Sequence, residues 1–133
     1  MTQIHKRTNV RALLLTTLLL MTALAVTAGQ GDRTRRVRFA RGRTTTVIKD
    51  AVVRGTRDRY ILGAKAGQTL IVHITSLEDN AVFDIYARGG RRVLSGAQEA
   101  TDWTGELPRS GDYVIEVGGT RGNASYTLEV TIR

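Results

Sequence analysis

The chain has 133 residues and no cysteine, and 20 Lys and Arg against 12 Asp and Glu give it a formal net charge of +8. A chain of this size has room for one modest core and none for a two-domain enzyme. The lack of cysteine excludes a disulfide scaffold, a thiolate metal site and a cysteine nucleophile, and 24% charged with 41% hydrophobic residues is the balance of a globular chain.

In chain order, Lys6, Arg7 and Arg11 come first, ahead of an uncharged apolar stretch from Ala12 to Val26 that closes on Val26-Thr27-Ala28. That order predicts a Sec-type signal peptide over residues 1–28, cut before Gly29. Interrupted by Thr16, Thr17 and Thr22, the stretch falls short of the roughly 20 residues a spanning helix needs, so no transmembrane anchor is expected after cleavage. The expected location is the periplasm or the extracellular space. Losing three cations leaves a net charge of about +5, with Arg33, Arg35, Arg36, Arg38, Arg41 and Arg43 crowded into residues 29–43. This segment is expected to be a solvated basic arm, or, functionally, an attachment to an anionic envelope polysaccharide. Nucleic acid is not an expected partner.

Residues 44–133 carry a hydrophobic pattern of period two, punctuated by glycine-rich turns, which predicts antiparallel strands and no helix. Around 45–53, Val47, Ile48, Ala51, Val52 and Val53 keep no single phase, so a bulge is expected there. Tyr60, Leu62 and Ala64 share one face of the next strand, and Leu70, Val72 and Ile74 one face of its successor, with the turn 65–68 between them. Phe83 and Ile85 follow, then a hairpin tip at Arg88-Gly89-Gly90-Arg91. Further strands are marked by Trp103, Gly105 and Leu107, by Tyr113, Ile115 and Val117, and by Tyr126, Leu128, Val130 and Ile132. Turns are expected at Pro108–Gly111 and Gly118–Asn123. The predicted fold is all-β: a small antiparallel β-sandwich, jelly-roll-like, of seven or eight strands.

Catalytic constellations are poorly supported. After signal removal His73 is the one histidine left, it lies mid-strand, and no Gly-x-Ser-x-Gly elbow accompanies it. Glu78 with Asp79, or Asp50 with Asp58, are candidate calcium carboxylates without an Asp-x-Asp-x-Asp loop. Asp102 and Glu106 form a conceivable glycosidase pair, but a small sandwich offers no deep cleft to desolvate one of them. Trp103 is expected as a core anchor, with sugar stacking as its alternative and Tyr86 as a second platform. Asn123-Ala124-Ser125 matches a glycosylation acceptor. No enzyme activity, no cofactor and no metal are expected.

The stretches RYILGAKAGQTLIVHI (59–74), AVFDIYARGG (81–90), GELPRSGDYVIEV (105–117) and NASYTLEV (123–130) resemble the bacterial pre-peptidase C-terminal domain, a secreted β-sandwich. VRFARG (37–42), RGTRDRY (54–60) and the SGDY motif at 110–113 make the chain most similar to the periplasmic inhibitors of g-type lysozyme. That resemblance implies a partner, a g-type lysozyme or another muralytic enzyme, whose acidic substrate cleft is blocked by two exposed loops. On this sequence the loops are Gly55, Thr56, Arg57 and Asp58, and Thr120, Arg121, Gly122 and Asn123. A rigidly held guanidinium can pair with a cleft carboxylate, so Arg121 and then Arg57 are the leading contact residues. Ser110, Gly111 and Tyr113 are expected to brace a loop. Two other classes remain open: a non-catalytic carbohydrate or cell-wall binding module, and a basic structural envelope protein.

Overall fold

The computed structural model describes residues 31–133, so the signal peptide expected over 1–28 lies outside the described residues. Among the described residues eight strands form: β1 (Arg33–Arg36), β2 (Thr45–Val52), β3 (Asp58–Ala64), β4 (Thr69–Ser76), β5 (Ala81–Ala87), β6 (Asp102–Glu106), β7 (Gly111–Gly119) and β8 (Ala124–Ile132). They build two four-stranded sheets, ordered β1-β3-β7-β5 and β2-β8-β4-β6. The sandwich expected from the period-two pattern is the observed fold. Alternate residues of both sheets turn inward, and Tyr60, Leu62, Phe83, Ile85, Ile115 and Val117 meet Leu70, Val72, Ile74, Tyr126, Leu128 and Val130 in one buried core.

Two local expectations give way. β2 pairs with β8 without interruption from Thr45↔Thr131 to Val52↔Ala124, so it carries no bulge. As an edge strand its inward face is only half covered, which lets the polar Thr46 and Asp50 share it with Ile48 and Val52 while Val47 points to solvent. After β5 the chain reverses at Arg88–Gly90 as expected, but the returning segment forms no named strand. It makes isolated bridges, Tyr86↔Val93 and Phe83↔Ala100, that cover the free edge of β5.

The basic arm also differs from expectation. Arg33–Arg36 form β1, which lies parallel to β3 in register Arg33↔Asp58, and Val37 behind it enters the core. Charge placement is the physical reason. Arg33 binds the Asp58 carboxylate through two hydrogen bonds, Nε to Oδ1 at 2.8 Å and Nη2 to Oδ2 at 2.6 Å, and also reaches Asp50 at 3.2 Å. Arg35 bonds Asp50 and the Tyr60 hydroxyl, and Arg36 bonds Asp112. The Asp58 site is completed by the Tyr126 hydroxyl at 2.7 Å, itself hydrogen-bonded to that of Tyr60. Burial, reinforced by these two partners, pushes the Tyr126 phenol above its ordinary range, so it stays a neutral donor. The hydrogen bond to Asp58, opposed by desolvation, holds the Arg33 guanidinium firmly charged.

Trp103 sits on β6 opposite Val72, half-buried against the core, with its indole N–H donated to the Ser95 carbonyl at 3.0 Å. Its ring covers Gly105, where a Cβ would come within 2.5 Å of two ring carbons. Gly105→Ala is therefore expected to lift the indole off the strand and to destabilise the fold by about 1–2 kcal/mol through overpacking. As Trp103 is the one tryptophan, a red shift of native-state fluorescence together with a lower urea midpoint checks this directly.

Candidate functional site

Strand direction sorts the predicted loops. β2, β4 and β7 end, and β3, β5 and β8 begin, at one end of the sandwich, as the registers Val52↔Ala124, Asp58↔Val117 and Ala81↔Gly119 require. The β2–β3 loop with Gly55, Thr56 and Arg57 and the β7–β8 loop with Thr120, Arg121, Gly122 and Asn123 are thus neighbours. They are joined directly, since the Arg54 N–H donates to Asn123 Oδ1 at 2.8 Å.

The first loop is a tight turn. The Thr56 N–H and hydroxyl both bond the Val53 carbonyl, at 3.0 and 2.9 Å, and Gly55 takes the φ of 79° that the reversal demands. Arg57 follows, with its backbone N–H on Asp32 at 2.9 Å. Its exposed guanidinium lies across β7, Nη1 on the Thr56 carbonyl at 3.1 Å and Nε 3.9 Å from Glu116. This path exists because residue 118 is glycine: a Cβ there would stand 2.7 Å from Arg57 Nη1. Beside it opens a cleft of about 310 Å³ whose lining includes Asp84, Glu99 and Glu116, with Arg57 as its cationic wall.

The second loop is organised by a residue that the sequence did not single out. Asn80 is 2% exposed, and its side-chain amide donates to the backbone carbonyls of Arg121 and Asn123, both at 3.0 Å, while its backbone carbonyl accepts from the Thr120 N–H at 2.9 Å. Arg121 reaches out of the loop and donates from Nη2 to the Glu78 carbonyl at 2.6 Å, remaining exposed. The β4–β5 turn is therefore a third member of this loop cluster. Position alone marks Asn80 in the sequence as a turn residue; its long-range bonds, 41 and 43 residues away, carry no local signal.

Asp58, expected with the loop residues, is not at the surface. It is 1% exposed and its carboxylate is spent on Arg33 and Tyr126, because it opens β3 on the inward-facing phase. Ser110, Gly111 and Tyr113 lie at the opposite end of the sandwich. There the Tyr113 hydroxyl bonds Arg109 on both its backbone groups and the Ser110 hydroxyl accepts from the Ala66 N–H, tying the β6–β7 turn to the β3–β4 turn. The loop pair that Ser110 and Tyr113 tie together is a different one from the pair bearing Arg57 and Arg121.

His73 and Asp102 are exposed cross-strand neighbours in hydrogen bond, and Glu106 stands apart on β6. Asp50 and Asp58 are occupied by arginines, and among the described residues no group of three or more His, Cys, Asp or Glu side chains is arranged to hold a metal ion. Tyr86 is half-buried, with its hydroxyl on Glu116 at 2.9 Å. This end of the molecule presents exposed guanidinium groups carried on turns that are hydrogen-bonded to one another.

No family model and no curated protein matches the chain. Among solved structures it is similar to Aeromonas hydrophila PliG, a periplasmic lysozyme inhibitor of g-type lysozyme, with 32% identity and a TM-score of 0.67 over 77% of this chain and 98% of that one. Salmonella Typhimurium PliG, described in the same words, shares the fold at 21% identity and a TM-score of 0.62, over 76% and 98% of the two chains. The pre-peptidase C-terminal domain of a Bacillus anthracis collagenase shares it at 12% identity and 0.51, over 77% and 94%.

Proposed function

This chain belongs to the family of periplasmic inhibitors of g-type lysozyme, and from that membership we propose that it is itself a non-enzymatic inhibitor of such a lysozyme, acting in the periplasm or outside the cell. Arg121 and Arg57 are the residues that enter the partner's acidic substrate cleft, with Thr56, Thr120 and Asn123 making the surrounding contacts. The signal peptide over residues 1–28 delivers a product that starts near Gly29.

The observation that carries this reading is the convergence of two arginine-bearing loops at one end of the sandwich, hydrogen-bonded to each other through Arg54 and Asn123. A cleft built to cleave a glycosidic bond must hold carboxylates, and a preordered guanidinium pairs with a carboxylate through two parallel hydrogen bonds that exclude the substrate. Pre-ordering matters because a loop that had to be frozen on binding would give up part of the gain as lost entropy. The alternative of a sugar-binding module is less well supported, since Trp103 and Tyr86 are half-buried and hydrogen-bonded within the domain instead of forming an exposed stacking row. Polysaccharide binding by the basic segment would fall to Arg38, Arg41 and Arg43, which are exposed, because Arg33, Arg35 and Arg36 are paired internally.

Purified residues 29–133 are expected to suppress cell-wall lysis by a g-type lysozyme at near-stoichiometric ratios. Lysis rates unchanged by an excess of the protein would show the assignment to be wrong.

A further inference from the structure

The β4–β5 turn, Leu77–Asn80, carries the most exposed large hydrophobic side chain among the described residues. Leu77 is 95% exposed; the others are Val47 at 52%, in the middle of β2, and Val53 at 36%, at the base of the β2–β3 loop. Two of the three therefore stand at the end of the sandwich that also presents Arg57 and Arg121. A single exposed leucine needs no explanation by itself. What sets this one apart is the rigidity of its support and the company it keeps.

The backbone on both sides of Leu77 is fixed. The Ser76 hydroxyl accepts from the N–H groups of Asn80 at 2.9 Å and Ala81 at 3.2 Å, and the Ser76 carbonyl accepts from Asp79 at 3.3 Å. The Glu78 carbonyl takes the Arg121 guanidinium, and Asn80 locks the turn to the facing loop. The same hydrogen bonds that orient Arg121 hold Leu77 out in water, so one hydrogen-bonded unit carries an exposed apolar group one residue from the Glu78 carbonyl that anchors a cation. That pairing of a charge with an apolar neighbour able to exclude water is what concentrates binding energy at protein interfaces.

Resting on the inhibitor reading above, we propose that the β4–β5 turn is a third contact element of the interface and that Leu77 is its apolar anchor, seated in a hydrophobic recess on the lip of the partner's acidic cleft. The lip, and not the cleft floor, is the place that charge allows. Glu78 and Asp79 follow Leu77 directly, and two carboxylates carried into an acidic cleft would be repelled. On the lip, Leu77 is desolvated while Glu78 and Asp79 stay in water and Arg121 extends inward.

Inhibition constants against a g-type lysozyme test this, using the protein purified from the periplasm as wild type, Leu77→Ser, Leu77→Met and Arg121→Ala. Leu77→Ser is expected to weaken inhibition about tenfold, Leu77→Met to stay within about twofold of wild type, and all variants to keep the wild-type urea midpoint. Because the contact is apolar, the Leu77→Ser loss should persist at about 0.5 M salt, where the Arg121→Ala loss shrinks. If Leu77→Ser inhibits as well as wild type, the turn lies outside the interface and the inference falls while the inhibitor reading stands. If the wild-type protein itself fails to inhibit, the inhibitor reading falls and takes this inference with it.

Discussion

Replacing Arg33 by methionine is expected to lower the unfolding free energy by about 3 kcal/mol, far more than the loss of an ordinary surface ion pair. Arg33 looks expendable by exposure, since a third of its side chain is open to water. Its partner is not. The Asp58 carboxylate is 2% exposed, and without the guanidinium it keeps, among the described residues, only the Tyr126 hydroxyl as a side-chain donor. An uncompensated buried charge costs far more than a surface ion pair contributes. The exposure of Arg33 discounts its own share, so the figure lies at the low end of the range for breaking buried pairs. Against a total stability of roughly 5–15 kcal/mol for a domain of this kind, the loss is large. Arg33→Lys should restore little, because an ammonium cannot span both Asp58 oxygens and Asp50 as the guanidinium does. Removing both charges, in Arg33→Met with Asp58→Leu, should leave the protein more stable than Arg33→Met alone. Urea midpoints of the four proteins decide the matter; an Arg33→Met midpoint equal to wild type would mean that water compensates Asp58.

That pair also marks the limit of what the sequence could disclose. The strands of the core announced themselves by alternation, from Tyr60 and Leu62 through Leu128 and Val130, because each has one apolar and one polar face. β1 had no such pattern. Arg33-Thr34-Arg35-Arg36 contains no apolar residue, so local composition described a solvated arm, while the strand is held by carboxylates at positions 50, 58 and 112, up to 76 residues away. Asp58 was misplaced for the same reason, since in the run RGTRDRY nothing distinguishes a loop carboxylate from the first inward residue of β3. β2 was blurred because an edge strand with a half-covered inner face needs no strict alternation. At the loops, position was legible and architecture was not. Glycine and polar residues located both turns, but the Asn80 amide that joins one of them to the β4–β5 turn depends on contacts no window of sequence contains.

Arg121→Ala is expected to weaken inhibition of a g-type lysozyme by about 2 kcal/mol, or roughly 30-fold in the inhibition constant, with little change in stability. The asymmetry follows from where the guanidinium is anchored. One of its nitrogens, Nη2, is held by the Glu78 carbonyl at 2.6 Å in an exposed setting. Losing that bond frees a carbonyl that water can satisfy, so the fold loses little. The partner's carboxylate, desolvated in its cleft, would lose a donor that water no longer supplies. Arg57→Ala should cost less, because the Arg57 side chain is already drawn toward Glu116 and lies along Gly118; reaching a foreign carboxylate requires giving up those neighbours. Since both loops belong to one hydrogen-bonded unit, the double variant is expected to lose less than the sum of the two single losses. A double-mutant cycle on inhibition constants, repeated at low and high salt, measures that coupling. Strictly additive losses would mean that the two arginines engage the lysozyme at independent points, and an Arg121→Ala protein that inhibits like wild type would remove Arg121 from the interface altogether.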